Sequence, residues 1–394
     1  MTSPRGCARP MPARSLTENL PERIVIVGGG AMGLASAWAL CEKGVRVTVL
    51  EAGKAGQGAL WASGGMLAAG FETCFELDSD HPLTDPYADL LSQSLQLWRD
   101  WAPRLQAASA VALGYDPQGA VTPAFSQADE ARLDQAEALA ERFGVTAERI
   151  SGEALTGLEP TLARARGALL FPSDAQLDNR ALGSVLSDAI RARGGDIAEG
   201  RRVTGLDMTA GRVNGVVLEE GERLAADAVV LATGAERFAD MPSFAQITPV
   251  KGQMIRFDAT DLQVPQRVVR GLSIYLAAKS GGRLIAGASS EPGQAGLDTD
   301  PDTLERLTKA AQAALPALQG RAVVESWAGL RPCSSDAMPI VGEASPGLYL
   351  ALGAYRNGVL TAPGMAELVV QALGASPRSA CADFFSARRS GLKA

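Results

Sequence analysis

At 394 residues the chain exceeds one ordinary hydrophobic core, so two domains, interleaved in sequence, are expected. Its 46% apolar and 21% charged residues suit a globular enzyme, and a formal charge of −7 with no long basic run argues against nucleic acid as a partner. The single histidine, His81, and the five cysteines without a C-x-x-C pair exclude a histidine triad and a multi-histidine metal centre, argue against a zinc site, and favour a reducing, cytoplasmic setting.

Residues 1–21 hold Arg5, Arg9 and Arg14 among prolines with no apolar h-region, and read as a disordered extension rather than a secretory signal. Ile24-Val25-Ile26-Val27 then breaks into Gly28-Gly29-Gly30 and a helical stretch to Lys43, and residues 45–50 form a second apolar run closed by Glu51. That order predicts a β-α-β unit with parallel strands. The Gly, Ala and Ser-rich residues 56–70 read as a loop. Helical spacing of apolar residues over 87–108 and 129–143 predicts two packing helices of a second domain, and 179–193 predicts another helix stopped by Gly194-Gly195. Strands follow at 202–206 and 213–218, joined by a hairpin at Ala210-Gly211-Arg212, and at 224–231, which ends in Ala232-Thr233-Gly234. Residues 247–324 read mostly as strand, with a helix over 303–315. A strand at 348–352 leads through Gly353 into a helix over 358–373. No apolar run reaches the roughly 18 residues that cross a bilayer, so no membrane span is expected.

Gly28-x-Gly30-x-x-Gly33 between strand and helix is the dinucleotide fingerprint in its proper context. Gly28 permits a tight turn, Gly30 lets the backbone approach a pyrophosphate, and Gly33 lets helix and strand pack closely. Glu51, at the end of the second strand, suits a ribose diol and repels a 2′-phosphate, which leaves FAD or NAD. Ala62-Ser63-Gly64-Gly65-Met66-Leu67, Ala232-Thr233-Gly234 and the 353–360 turn add three further approaches for a flat ring, which favours FAD.

The runs Trp61-Ala62-Ser63-Gly64-Gly65-Met66-Leu67, Trp327-Ala328-Gly329-Leu330-Arg331-Pro332 and Tyr355-Arg356-Asn357-Gly358-Val359-Leu360 resemble three signatures of the glycine oxidase family of the D-amino-acid oxidase superfamily, over residues 23–373. The resemblance implies an α/β fold: a Rossmann-like FAD-binding domain (22–85, 148–238 and 324–394) with an inserted α+β substrate domain of antiparallel sheet plus helices (86–147 and 239–323). It also implies non-covalent FAD, molecular oxygen as acceptor with hydrogen peroxide formed, a small amino-acid substrate, and a place in thiamine-thiazole biosynthesis.

By the same resemblance Arg331 would pair with the substrate carboxylate, Tyr275 would add a hydroxyl to it, and Arg356 would stand beside the flavin. The cofactor would contact Gly28, Gly30, Ala31, Met32 and Gly33; Glu51 and Ala52; Ser63, Gly64, Gly65, Met66 and Leu67; Val203, Thr233 and Gly234; and Tyr355, Arg356, Asn357, Gly358, Val359 and Leu360. Ala278-Lys279 and Ala354 depart from the family pattern near the site, which leaves the substrate open among glycine, sarcosine and small D-amino acids. Cys333 does not match the offset of a covalent flavin attachment. With no histidine positioned as a base, catalysis is expected to rest on orientation of an anionic substrate with a neutral amine. The alternative is a D-amino-acid or sarcosine-type dehydrogenase of the same fold that hands electrons to an acceptor other than oxygen. Monomer and homo-oligomer both remain open.

Overall fold

The structure is a computed structural model and describes residues 20–389; the predicted extension at 1–21 lies almost wholly outside them. Its first layer is a six-stranded sheet in the order Ile340–Ser345, Leu348–Leu352, Ala228–Leu231, Arg23–Val27, Arg46–Glu51 and Asp196–Glu199. All its pairings are parallel except the first. The pleat explains how it is covered on both faces. Ile24 and Ile26 point to one side, where they join the core made with helices Ala31–Glu42, Thr84–Ala108, Asn179–Ala192 and Gly358–Ala372. Val25 and Val27 point to the other, where they meet Val213, Val216 and Leu218 of a three-stranded antiparallel sheet. A central parallel strand buried on both faces reads as continuous apolar sequence, as 24–27 does.

The second layer is a nine-stranded sheet built around the long strand Ile247–Asp258, which pairs with Arg283–Gly287 and with Val323–Ser334. Tyr275–Lys279, Val268–Arg270, Ala120–Ala124, Gly167–Phe171 and Glu148–Ser151 extend it. Helix Pro301–Ala314 lies against this sheet through Leu307, Ala311 and Ala314. Asp300 caps that helix by accepting from Thr303 N–H at 2.9 Å, with Pro301 at its first position.

Four expectations need correction. Residues 56–70 are not a plain loop, since they hold a short helix Ala59–Ala62, a strand Met66–Leu67 and the start of a helix Ala69–Phe75. The predicted strand 224–231 is two strands in different sheets, Arg223–Ala225 and Ala228–Leu231. Asp227 breaks it because its carboxylate accepts the Arg23 N–H at the edge of the first strand. Helix Thr84–Ala108 belongs to the core of the parallel-sheet layer, not to the second domain. Its Trp98 Nε1 donates to the carbonyls of Val359 and Leu360, and Gly364 leaves the room that Ser94 occupies. Finally, strands Glu148–Ser151, Gly167–Phe171 and Val323–Ser334 join the nine-stranded sheet, so 148–171 and the start of 324–394 leave the FAD-binding unit in which the sequence reading placed them. Periodicity finds an element; its partners decide its layer.

Candidate active site

A cavity of ≈ 1010 Å³ runs from the carboxyl ends of the parallel strands to the face of the nine-stranded sheet. It is at the upper end of the roughly 300–1,000 Å³ usual for small-ligand sites, as a dinucleotide plus a substrate requires. At the parallel-sheet end the turn after Arg23–Val27 forms its wall. Gly28 has φ +108°, and a Cβ there would overlap the Ala232 carbonyl; a Cβ on Gly33 would overlap the carbonyl of Gly28. Both glycines are therefore needed for close packing. Gly30 differs: nothing lies within 4 Å of its would-be Cβ, it is the N-cap of helix Ala31–Glu42, and it lines the cavity with Ala31 and Met32. Leading helix N–H groups without intrahelical partners thus border open space beside a bare backbone, which fits a pyrophosphate.

Glu51 and Ala52 also line this end. The Glu51 carboxylate accepts Gly29 N–H at 2.8 Å and Gly53 N–H at 2.7 Å, one on each oxygen. A carboxylate has about four acceptor positions, so capacity remains for a ribose diol. Val203, Thr233 and Gly234 complete this wall.

The middle of the cavity is bordered by Ser63, Gly64 and Met66 on one side and by Tyr355, Gly358 and Val359 on the other. Tyr355 holds φ +44°, a left-handed backbone that a side-chain-bearing residue adopts at a cost of order 1–3 kcal/mol, and such strain concentrates at ligand sites. Two of the sequence signatures meet here. Trp327 Nε1 donates to the Ala62 carbonyl at 3.0 Å, and the Arg180 guanidinium lies 3.8 Å from the Trp61 ring centre and 4.5 Å from that of Trp327. The glycine-rich loop is thereby held against strand Val323–Ser334.

Five of the expected cofactor contacts stand behind the wall rather than on it. Gly33 packs on Gly28 and Gly65 on the Leu177 carbonyl. Leu67 is fully buried in its pairing with Ala175, Asn357 donates to Tyr87 Oη at 3.2 Å, and Leu360 is buried with its carbonyl on Trp98. They shape the site and do not line it.

At the far end the cavity brings together Tyr275, Arg331 and Arg356. Arg331 donates from Nη1 to the carbonyls of Ser289 (3.2 Å) and Lys251 (3.4 Å), and among the described residues no carboxylate pairs with it. Burial, with Arg356 nearby, lowers its pKa, but an arginine stays charged. Tyr275 is buried, which pushes its phenol up to about 12 and keeps it protonated. Its hydroxyl donates to Met254 Sδ at 2.6 Å, a weak acceptor that a better one would displace.

Arg356 differs from Arg331. Its Nη1 donates to Glu76 at 2.6 Å, and its Nε stands 4.0 Å from Glu72. Glu72 and Arg270 also line the cavity, and Arg270 Nη2 donates to Glu72 at 2.8 Å. Burial acts to raise the Glu72 pKa, but the guanidinium groups of Arg270 and Arg356 outweigh it and hold the carboxyl below its usual range. Beside it Asp174, fully buried, accepts Gly70 and Phe71 N–H groups; burial nevertheless pushes it up to about 7.

Sequence reasoning missed Glu72, Arg270 and Met254. Glu72 sat in a stretch whose helix, Ala69–Phe75, is only 7 residues long, too short for a clear period. The charge at the end of Val268-Val269-Arg270 was the one available signal for Arg270. Of the departures from the family pattern, Ala354 lines the cavity, whereas Lys279 is turned to Gln176 Oε1 (2.9 Å) and the Leu177 carbonyl (2.7 Å).

The profile of the DAO family, described as FAD dependent oxidoreductase, matches residues 23–372. The chain belongs to this family. Within it, the chain is 34% identical over 362 residues to the bifunctional protein ThiO/ThiG of Synechocystis sp., covering 88% of this chain and 50% of that protein. The chain therefore spans about half the length of such bifunctional relatives. It is 32% identical over 374 residues to the glycine oxidase of Pseudomonas putida, covering 91% of this chain and 96% of that enzyme. Among solved structures, the glycine oxidase of Geobacillus kaustophilus superposes with a TM-score of 0.82 at 28% identity, covering 91% of this chain and 96% of that one. The expected fold class, an FAD-binding α/β unit carrying a second α+β layer, is that of this family.

Proposed function

We propose that this protein oxidises glycine or another small amino acid to its imine, which hydrolyses to glyoxylate or the matching 2-oxo acid and ammonia, with oxygen as acceptor and hydrogen peroxide as co-product. Its proposed setting is cytoplasmic and its place is thiamine-thiazole synthesis. The carrying observation is Arg331: a guanidinium in the cavity wall that, among the described residues, is anchored by backbone carbonyls and has no carboxylate of its own. Similarity to the Pseudomonas putida glycine oxidase and to the ThiO/ThiG proteins supports the same reading. Among the described residues no helix is long and apolar enough to cross a membrane, and Cys41 and Cys74 are buried free thiols, in keeping with a reducing compartment.

Gly28, Gly30, Ala31, Met32, Glu51, Ser63, Gly64, Met66, Tyr355, Gly358 and Val359 would hold FAD. Bound there, FAD would supply the two-electron acceptor. The chain's own contribution is placement. Arg331 offers a planar two-point grip for a carboxylate, and the neutral Tyr275 hydroxyl can leave Met254 Sδ and donate to the same group. No histidine lines the cavity, so the substrate would enter with its amine already neutral, and the fixed carboxylate would set the position of the α-carbon. The test is oxygen consumption and peroxide formation by the purified yellow protein with glycine, sarcosine and small D-amino acids. Failure with all of them would remove the reading.

A further inference from the structure

Three guanidinium groups and one carboxylate, those of Arg331, Arg270, Arg356 and Glu72, line the substrate end of the cavity, and Glu76 stands just behind them. The pairs Arg270–Glu72 and Arg356–Glu76 cancel within the wall, so that among the described residues at this end Arg331 carries the charge that no carboxylate compensates. Glu72 is the hinge of this balance. It is 5% exposed, it accepts from Arg270, and it lies 4.0 Å from Arg356, so a single carboxylate faces both of the other cations. The Arg270 guanidinium is also held in place by the rings it lies over, 4.1 Å from the Phe71 ring centre and 5.6 Å from that of Tyr275. Its Nε is buried without a partner. The Arg270 charge thus stands at the cavity wall, and among the described residues the carboxylate that masks it is that of Glu72.

We propose that Glu72 is a specificity-determining residue: by masking Arg270 and Arg356 it confines carboxylate binding to Arg331, so the site takes amino acids with one acidic group and rejects those with two. The proposal rests on the reading of the cavity as an amino-acid site. A second carboxylate brought to this wall would lose its water and find both nearby cations already engaged, next to the negative charge of Glu72. The buried ionised state of Glu72, held by the two guanidinium groups, is consistent with this role.

The test uses the FAD-loaded protein and simple carboxylates, acetate and malonate, titrated against the flavin absorbance, with sarcosine and iminodiacetate as the corresponding pair for turnover. In the native protein acetate is expected to bind about tenfold or more tightly than malonate although malonate carries more charge. Glu72→Gln leaves one more net positive charge and should invert that order, raising the malonate-to-acetate ratio about a hundredfold; the kcat/KM ratio of iminodiacetate to sarcosine should move the same way. Removing one partner of a buried pair can unfold a protein, so the double variant Arg270→Gln/Glu72→Gln removes the pair as a unit. It restores the original net charge and should restore the acetate preference. A purely structural role for Glu72 would lower both affinities together and leave their ratio unchanged. Native protein that prefers malonate, an unchanged ratio in Glu72→Gln, or a double variant that prefers malonate overturns the proposal. Spectral binding of neither acid by the native protein overturns it too, along with the carboxylate site itself; binding of acetate without turnover of any amine leaves it standing and removes only the assigned reaction.

Discussion

Gly252 lies directly beneath the guanidinium of Arg331, so close that a Cβ on it would overlap both terminal nitrogens. The two residues sit on the paired strands Ile247–Asp258 and Val323–Ser334, which keep one register over ten residue pairs, from Ile247 with Ser334 to Arg256 with Glu325, so the backbone at Gly252 has little freedom to move aside. Gly252→Ala should therefore displace the guanidinium rather than the backbone. Since misplacement of a reacting group by about 1 Å can lower a rate about a hundredfold, we expect kcat/KM for a carboxylate-bearing amine to fall about tenfold or more with FAD content unchanged. Wild-type kinetics in this variant would mean that Arg331 does not depend on its present position.

Gly30→Val tests the pyrophosphate site. A Cβ at this position meets no protein atom within 4 Å, so the apoprotein should fold, but the side chain would project into the space the cofactor needs. Flavin content per chain should drop sharply while the circular dichroism spectrum is retained. Full occupancy would contradict the assignment of the fingerprint turn.

The flavin should be held without a covalent bond. Cys333 is the cysteine nearest in sequence to the Arg331 signature, yet its thiol does not line the cavity, makes only a 3.5 Å contact to the Ser334 carbonyl, and has its pKa raised by burial. Acid precipitation should release all of the colour into the supernatant. A yellow pellet would show attachment elsewhere.

Asp174 makes stability depend on pH. Burial raises its pKa from 3.8 to about 7, so the folded state keeps the proton that the unfolded chain has lost. The stabilisation linked to that proton is complete below about pH 4 and is lost as pH rises through about 7. Asp174→Asn cannot titrate, and it also gives up one of the two backbone N–H bonds that the carboxyl accepts from Gly70 and Phe71. Its deficit in melting temperature relative to the native protein should therefore be larger at pH 5 than at pH 8. An equal deficit at both would show that Asp174 ionises as an ordinary exposed carboxylate.

The sequence made the nucleotide-binding end readable because its chemistry is local. Gly28, Gly30, Gly33 and Glu51 lie within one β-α-β unit, and each role follows from the turn it occupies. The carboxylate end is long-range. Arg331 and Tyr275 were found by resemblance, whereas Glu72 and Arg270 are 198 residues apart and show their significance only as an ion pair. The same distinction explains helix Thr84–Ala108, whose apolar face was plain from Leu90, Leu91, Leu95 and Trp98. Nothing in that face says whether it covers the parallel sheet or the antiparallel one.

The most direct test of the account is anaerobic reduction of the bound flavin, comparing native protein with Arg331→Ala and Arg331→Lys. A charge-assisted hydrogen bond contributes ~1.5–3 kcal/mol, so Arg331→Ala should keep its FAD and lose roughly ten- to a hundredfold or more in kcat/KM for glycine or sarcosine. Arg331→Lys should recover only part of this, since an ammonium lacks the planar fork, and an amine without a carboxylate should reduce the flavin of all three at similar rates. Bleaching of the alanine variant by glycine at the native rate would show that Arg331 is a structural residue and that the site does not hold its substrate by the carboxylate as described.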